Sequence, residues 1–148
     1  MVTGLTSRLS QGKPSDGISD VSTVKLDFDD VPLGMVRFWA MRACTWFDMK
    51  GFDIFRSSLN HYHVIFARKV KWEENMRIMC WVASESKIEA LHAYVFLQGI
   101  KMCSTLRVGP KGGKPSLRLV YRFGSQAGRV AVFLDERRLI KRILKSVG

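Results

Sequence analysis

The sequence predicts an α+β fold with a largely antiparallel sheet and helices on one face, and three observations predict it. Apolar residues alternate through short, β-branched runs such as Val21–Phe28 and Tyr62–Val70, which is the period of a half-buried strand. They recur at helical spacing through Met35, Val36, Trp39, Ala40, Ala43 and Phe47. The two kinds of segment follow in the order β-α-β-β-α-α-β-β-α without internal repeats, which indicates an α+β arrangement. At 148 residues and 47% apolar content the chain is long enough to bury one sizeable core.

Residues 1–20, rich in Ser, Gly and Thr with no apolar period, read as a flexible N-terminal tail, and 21–148 as a single domain. Val21–Phe28 is the first strand and ends in the acidic cluster Asp27-Phe28-Asp29-Asp30. Pro32 suits the first turn of a helix over Leu33–Asp48, with Asp29 or Asp30 available as its cap and Gly51 to terminate it. Phe52–Arg56 and Tyr62–Val70 form a hairpin around a turn at Ser57–Asn60. Helices follow at Trp72–Ser84 and Lys87–Met102. Thr105–Val108 and Leu117–Phe123 then pair across the glycine-rich turn Gly109–Pro115, and a last helix covers Arg129–Lys145. An RNA-recognition-motif-like core with additions satisfies this order.

Charge is distributed unevenly. Residues 1–100 hold 12 Lys/Arg against 11 Asp/Glu, whereas residues 101–148 hold 12 against Asp135 and Glu136 alone. A basic segment of that kind is the electrostatic footprint of a nucleic-acid or polyphosphate binder. Cys44, Cys80 and Cys103 are widely spaced and form no C-x-x-C pair, so reduced thiols in or near the core are expected in place of a zinc site or disulfide framework. No apolar run is long enough to span a bilayer and no signal-peptide pattern opens the chain, so a cytoplasmic protein without a membrane partner is expected.

Three stretches bear chemistry. In "LDFDD" a strand places Asp27 and Asp29 on one face, and paired carboxylates hold divalent cations; the other reading has Asp29 and Asp30 capping the helix and Asp27 solvated. In "RSSLNHYHVIF" the same geometry puts His61 and His63 on one face. His-hydrophobic-His also occurs in nucleases of rolling-circle replication, with Tyr94 on a helix as the candidate nucleophile, although the lysine usual one turn beyond it is absent. In "STLRVGPKGGKPSLRLVYR", Arg107, Lys111, Lys114, Arg118 and Arg122 lie on a hairpin whose glycines allow a phosphate to approach the backbone.

Together, "VKLDFDD", "FRSSLNHYHVIF" and "STLRVGPKGGKP" resemble the ordered elements of archaeo-eukaryotic-type primases, as found in small archaeal, viral or plasmid replication proteins. The resemblance spans roughly Val24 to Phe123. It implies that Asp27 and Asp29 hold Mg²⁺ or Mn²⁺, that Asp27, Asp29 and His63 form the catalytic set, and that Ser57, His63 and Arg107 meet the phosphates of a nucleoside triphosphate. It also implies a single-stranded DNA or RNA partner along the basic hairpin. One departure stands out: the family's third acidic residue has no counterpart, and "VFLQGIKMCSTLR" carries Gln98 where a carboxylate is sought. A non-enzymatic nucleic-acid-binding module on the same scaffold is therefore the alternative.

Overall fold

The computed structural model of the chain describes residues 4–10, 13–107 and 117–128, with side chains placed over 20–106 and 117–128. Its strands are β1 (Gly4–Ser10), β2 (Lys13–Asp20), β3 (Thr23–Asp29), β4 (Gly51–Ser58), β5 (His61–Lys69), β6 (Ser104–Arg107) and β7 (Arg118–Gly124). Its helices are α1 (Leu33–Phe47), α2 (Trp72–Ser86) and α3 (Glu89–Lys101). The fold is α+β, as the alternation and helical spacing predict. A four-stranded antiparallel sheet runs β3-β5-β4-β7, and a second antiparallel sheet runs β1-β2-β6.

Strand period two divides the larger sheet between an apolar and a polar face. Val24, Leu26 and Phe28 of β3, Phe52 and Ile54 of β4, and Tyr62, Val64 and Phe66 of β5 join one core. Val36, Ala40 and Ala43 of α1, Ile78, Met79 and Val82 of α2, and Leu91 and Val95 of α3 complete it. Each fully buried large side chain in that set contributes about 1.5–3 kcal/mol. The intervening residues of the same strands, Lys25, Asp27 and Asp29, then His61 and His63, then Asp53, point to the other face.

α1 begins after Pro32, whose extended backbone serves as N-cap with no side-chain cap. Asp29 and Asp30 therefore do not cap it, and Asp29 turns to His61 instead. The helix ends one turn earlier than a Gly51 stop requires: Asp48 adopts φ 52°, and the Met49 N–H closes on the Cys44 carbonyl at 2.9 Å. Gly51 opens β4. The turn between β3 and α1 is tied to the β4–β5 turn by the Val31 N–H, which donates to the Asn60 carbonyl at 3.0 Å.

Two further expectations are corrected. Residues 4–20, expected as a tail, carry β1 and β2, which pair with each other and through β2 with β6. Their backbone ladder needs no apolar alternation, so the polar sequence concealed it. The basic hairpin does not form as one unit: β6 pairs with β2, and β7 pairs with β4, in different sheets. The turn Gly109–Pro115 and the helix Arg129–Lys145 lie outside the described residues. Of the cysteines, Cys44 is buried and its thiol is pushed up to about 11 by that burial, whereas Cys80 is exposed and Cys103 half-buried. No helix of the described residues is long and apolar enough to cross a membrane.

A buried ion pair joins the two sheets. Lys25 Nζ lies 2.9 Å from Asp20 Oδ1 and donates also to the Ser104 carbonyl at 2.9 Å. Asp20 accepts as well from the Thr23 N–H at 3.1 Å and from the Thr23 hydroxyl. The Ser104 hydroxyl donates to the Thr23 carbonyl at 3.2 Å, so the end of β2, the start of β3 and the start of β6 share one polar knot.

Candidate functional site

Ladder register builds the site on the polar face. Asp27 stands opposite His63 and Asp29 opposite His61, in consecutive same-face positions of the β3–β5 pair. The two carboxylates thus lie about 7 Å apart along the strand, each with an imidazole across from it. His63 Nε2 is 3.6 Å from Asp27 Oδ1, and His61 Nδ1 is 2.7 Å from Asp29 Oδ1. The second His61 ring nitrogen faces Asp30 Oδ1 at 3.8 Å. Asp30 holds φ 58°, a left-handed conformation that aspartate tolerates, and it places this third carboxylate at the end of the strand.

Accessibility rises steadily along β3. The Lys25 side chain is 0% exposed, Asp27 28% and Asp29 52%, so the face is closed at the Lys25 end and opens towards the β4–β5 turn. His63 is buried beneath that opening and His61 stands at its rim. Ser57 is the extra residue of a bulge in β4, between Arg56 opposite Tyr62 and Ser58 opposite His61. Bulges of this kind redirect a side chain, and here the Ser57 hydroxyl donates to the His61 carbonyl at 3.2 Å. Ser57 thereby fixes the backbone of the histidine strand.

The sequence-selected residues fall into two groups. Asp27, Asp29, His63 and Ser57 lie on neighbouring strands β3, β5 and β4 towards the β4–β5 turn. Arg107 ends β6 in the other sheet, with its side chain outside the described set, and Lys111 and Lys114 lie outside the described residues. Arg118 is exposed at the start of β7. Arg122 is engaged elsewhere: its Nε and Nη2 donate to both oxygens of Asp53 at 2.7 and 2.8 Å. That bidentate pair raises the Arg122 pKa still further and holds β7 on β4. His61, which the resemblance passes over, makes the closest carboxylate contact of the site; the i, i+2 spacing of the two histidines already marked it.

Gln98 has a different task. It lies on α3, buried, where its Nε2 donates to the Tyr94 carbonyl and its Oε1 accepts from the Thr105 N–H, both at 2.9 Å. Gln98 splices α3 to β6, and a carboxylate there would face the Tyr94 carbonyl without a donor. Gln98→Glu is therefore expected to lower the unfolding free energy by about 1–3 kcal/mol, read as a drop in urea midpoint. Tyr94 donates its hydroxyl to the Thr105 carbonyl at 3.2 Å. Burial, then the nearby Asp27, Asp20 and Cys103, push its pKa well above that of a free phenol, the reverse of what activates a tyrosine nucleophile.

Among the described residues no three or more His, Cys, Asp or Glu side chains converge as a metal cage. Mg²⁺ and Mn²⁺ arriving with phosphates are commonly held by one or two carboxylates with phosphate oxygens and water completing the shell, and Asp27 and Asp29 are the β3 carboxylates of this face. Comparison of the chain with protein-family models, with curated proteins and with solved structures finds no match.

Proposed function

We propose that the chain is a primase-like replication protein that binds nucleoside triphosphate and single-stranded nucleic acid at the open end of the β3–β5–β4 face. The observation that carries this reading is the pair of adjacent rungs, Asp27 with His63 and Asp29 with His61, at the exposed end of an otherwise closed sheet face. Asp27 and Asp29 supply the carboxylates that a phosphate-borne divalent ion requires. On this reading His63, held beside Asp27, and His61, held beside Asp29, would donate to phosphate oxygens. Ser57 keeps the His61 backbone fixed, so both imidazoles are oriented before substrate arrives. A bound divalent ion would neutralise charge developing on the transferred phosphoryl group. The antiparallel sheet with its helices is compatible with an RNA-recognition-motif-like core.

The test is nucleotide incorporation on a single-stranded template with Mg²⁺ or Mn²⁺, paired with thermal stabilisation by nucleoside triphosphate and metal. Asp27→Ala combined with Asp29→Ala is expected to abolish incorporation and to remove the metal-dependent stabilisation. A folded wild-type protein that incorporates nothing with either metal overturns the enzymatic half.

A second reading, a non-enzymatic binding module, is favoured by the position of Gln98 and by the commitment of Asp53 to Arg122. Neither supplies a further carboxylate to the Asp27–Asp29 pair. In that case nucleic-acid affinity falls steeply with added salt and survives the two aspartate substitutions.

A further inference from the structure

The larger sheet carries a second polar feature on the rung adjacent to the Asp27–His63 rung. That rung runs Phe28, Tyr62, Arg56, Arg118 across β3, β5, β4 and the edge strand β7. Its first half is apolar core, and its second half places two arginines directly opposite one another. Cross-strand partners of that kind have Cβ atoms about 5 Å apart, and like charges so placed are destabilising unless an anion joins them. The ion pairs of arginine among the described residues engage Arg68 and Arg122, not Arg56 or Arg118.

A third guanidinium approaches from α1. Arg37 Cζ lies 4.2 Å from the Tyr121 ring centroid, with Nη2 3.5 Å from the Tyr121 hydroxyl. Tyr121 is the β7 partner of Ile54, two residues before Arg56 on the same face of β4. Stacking on the ring restrains the Arg37 side chain while leaving most of its five N–H donors uncommitted. Among the described residues these three arginines have no carboxylate partner, and they lie towards the same end of the sheet as Asp29 and His61 but on its other, helix-bearing face.

We infer that Arg37, Arg56 and Arg118 form a phosphodiester track that holds the backbone of a single-stranded nucleic acid at the β4–β7 edge, on the helix-bearing face of the sheet and across it from the Asp27–Asp29 site. This rests on the nucleic-acid reading above and replaces the hairpin expected from sequence with residues from a helix and two strands. Arginine suits the task because its planar fork matches phosphate oxygens and never loses its charge. The track carries no base readout, so it is indifferent to sequence.

The experiment is fluorescence anisotropy of a labelled single-stranded oligonucleotide over a series of salt concentrations. The wild type is compared with Arg37→Gln/Arg56→Gln/Arg118→Gln, with the double variant Arg56→Gln/Arg118→Gln, and with Arg77→Gln on the exposed side of α2. Each phosphate contact contributes about 0.7 to the slope of log affinity against log salt for single strands. The triple variant should thus lose about 2 from the slope and the double about 1.4, while Arg77→Gln keeps the wild-type slope. Folding is checked by circular dichroism; if the triple variant does not fold, the double variant decides. An unchanged slope in a folded double variant, or an equal loss in Arg77→Gln, overturns the track. Wild-type protein without salt-dependent binding overturns the nucleic-acid reading itself. Thermal stabilisation by triphosphate and metal should persist in the double variant, separating the track from the Asp27–Asp29 site.

Discussion

Asp20→Ala is expected to cost about 3–5 kcal/mol of folding free energy, the usual loss when one member of a buried ion pair is removed, and to lower the melting temperature by roughly 10 °C or more. Both side chains of the Asp20–Lys25 pair are 0% exposed, so the substitution strands an ammonium group with the Ser104 carbonyl as its neighbour. It also removes the acceptor of the Thr23 N–H and hydroxyl. Replacing both partners by apolar residues, Asp20→Leu with Lys25→Met, should cost less than Asp20→Ala, because no uncompensated charge remains.

The pH dependence has a definite sign. Burial lowers the Lys25 pKa below 10.5, and Asp20 opposes that shift. Without Asp20 the depression deepens. Between the folded value and 10.5 the unfolded chain binds more protons, so stability rises with pH across that window. The deficit of Asp20→Ala should accordingly shrink as pH is raised from 7 towards 10, measured by urea unfolding at each pH. A deficit below about 1 kcal/mol at pH 7, in the range of an exposed pair, would show that the knot is open to water.

Gly124→Ala should be the second severe substitution. Gly124 has φ +69°, and a Cβ there would sit 1.9 Å from the Lys50 carbonyl oxygen. Its ladder partner Gly51 has the same difficulty, with a Cβ 2.2 Å from the Ser125 carbonyl oxygen. The obstacle is backbone in both cases and cannot swing aside as a side chain would. Left-handed strain of about 1–2 kcal/mol and overpacking of about 1–3 kcal/mol add to an expected loss of about 2–5 kcal/mol. Hydrogen exchange should localise the damage to β7 and β4, with the Arg122–Asp53 clasp lost. Gly34→Ala is the control: nothing lies within 4 Å of a Cβ at that position on α1. It should be neutral or stabilising by about 0.5–1 kcal/mol.

What the sequence revealed of this molecule follows from how local each determinant is. Strands β3, β4 and β5 send alternate residues into one core and helices α1, α2 and α3 bury one side, so their period is written in neighbouring residues. The common face of Asp27, Asp29, His61 and His63 follows from the same period. Pairing partners are not local: the glycine-rich stretch after Arg107 suggested that β6 and β7 pair, yet β2 and β4 claim them. Asp20 looked like one more polar residue in a serine-rich lead-in, because its burial depends on Lys25 and Ser104 meeting it across a sheet junction. Gln98 stood where a carboxylate was sought, and its actual task depends on Thr105 and Tyr94.

The junction between β2 and β6 also sets an order of events. Ser104 meets the Asp20 carbonyl across 84 residues of sequence, whereas the β4–β5 hairpin closes around a two-residue turn. Closing the longer loop is entropically dearer and contributes late in folding. On a chain made from its N-terminus, β1 and β2 emerge before β6 and wait for it, while β3, β4, β5, α1, α2 and α3 can already assemble. During that interval the polar composition of residues 4–20, so uninformative about strands, serves the chain well: an early-made hairpin without an apolar stripe offers little for other nascent chains to stick to.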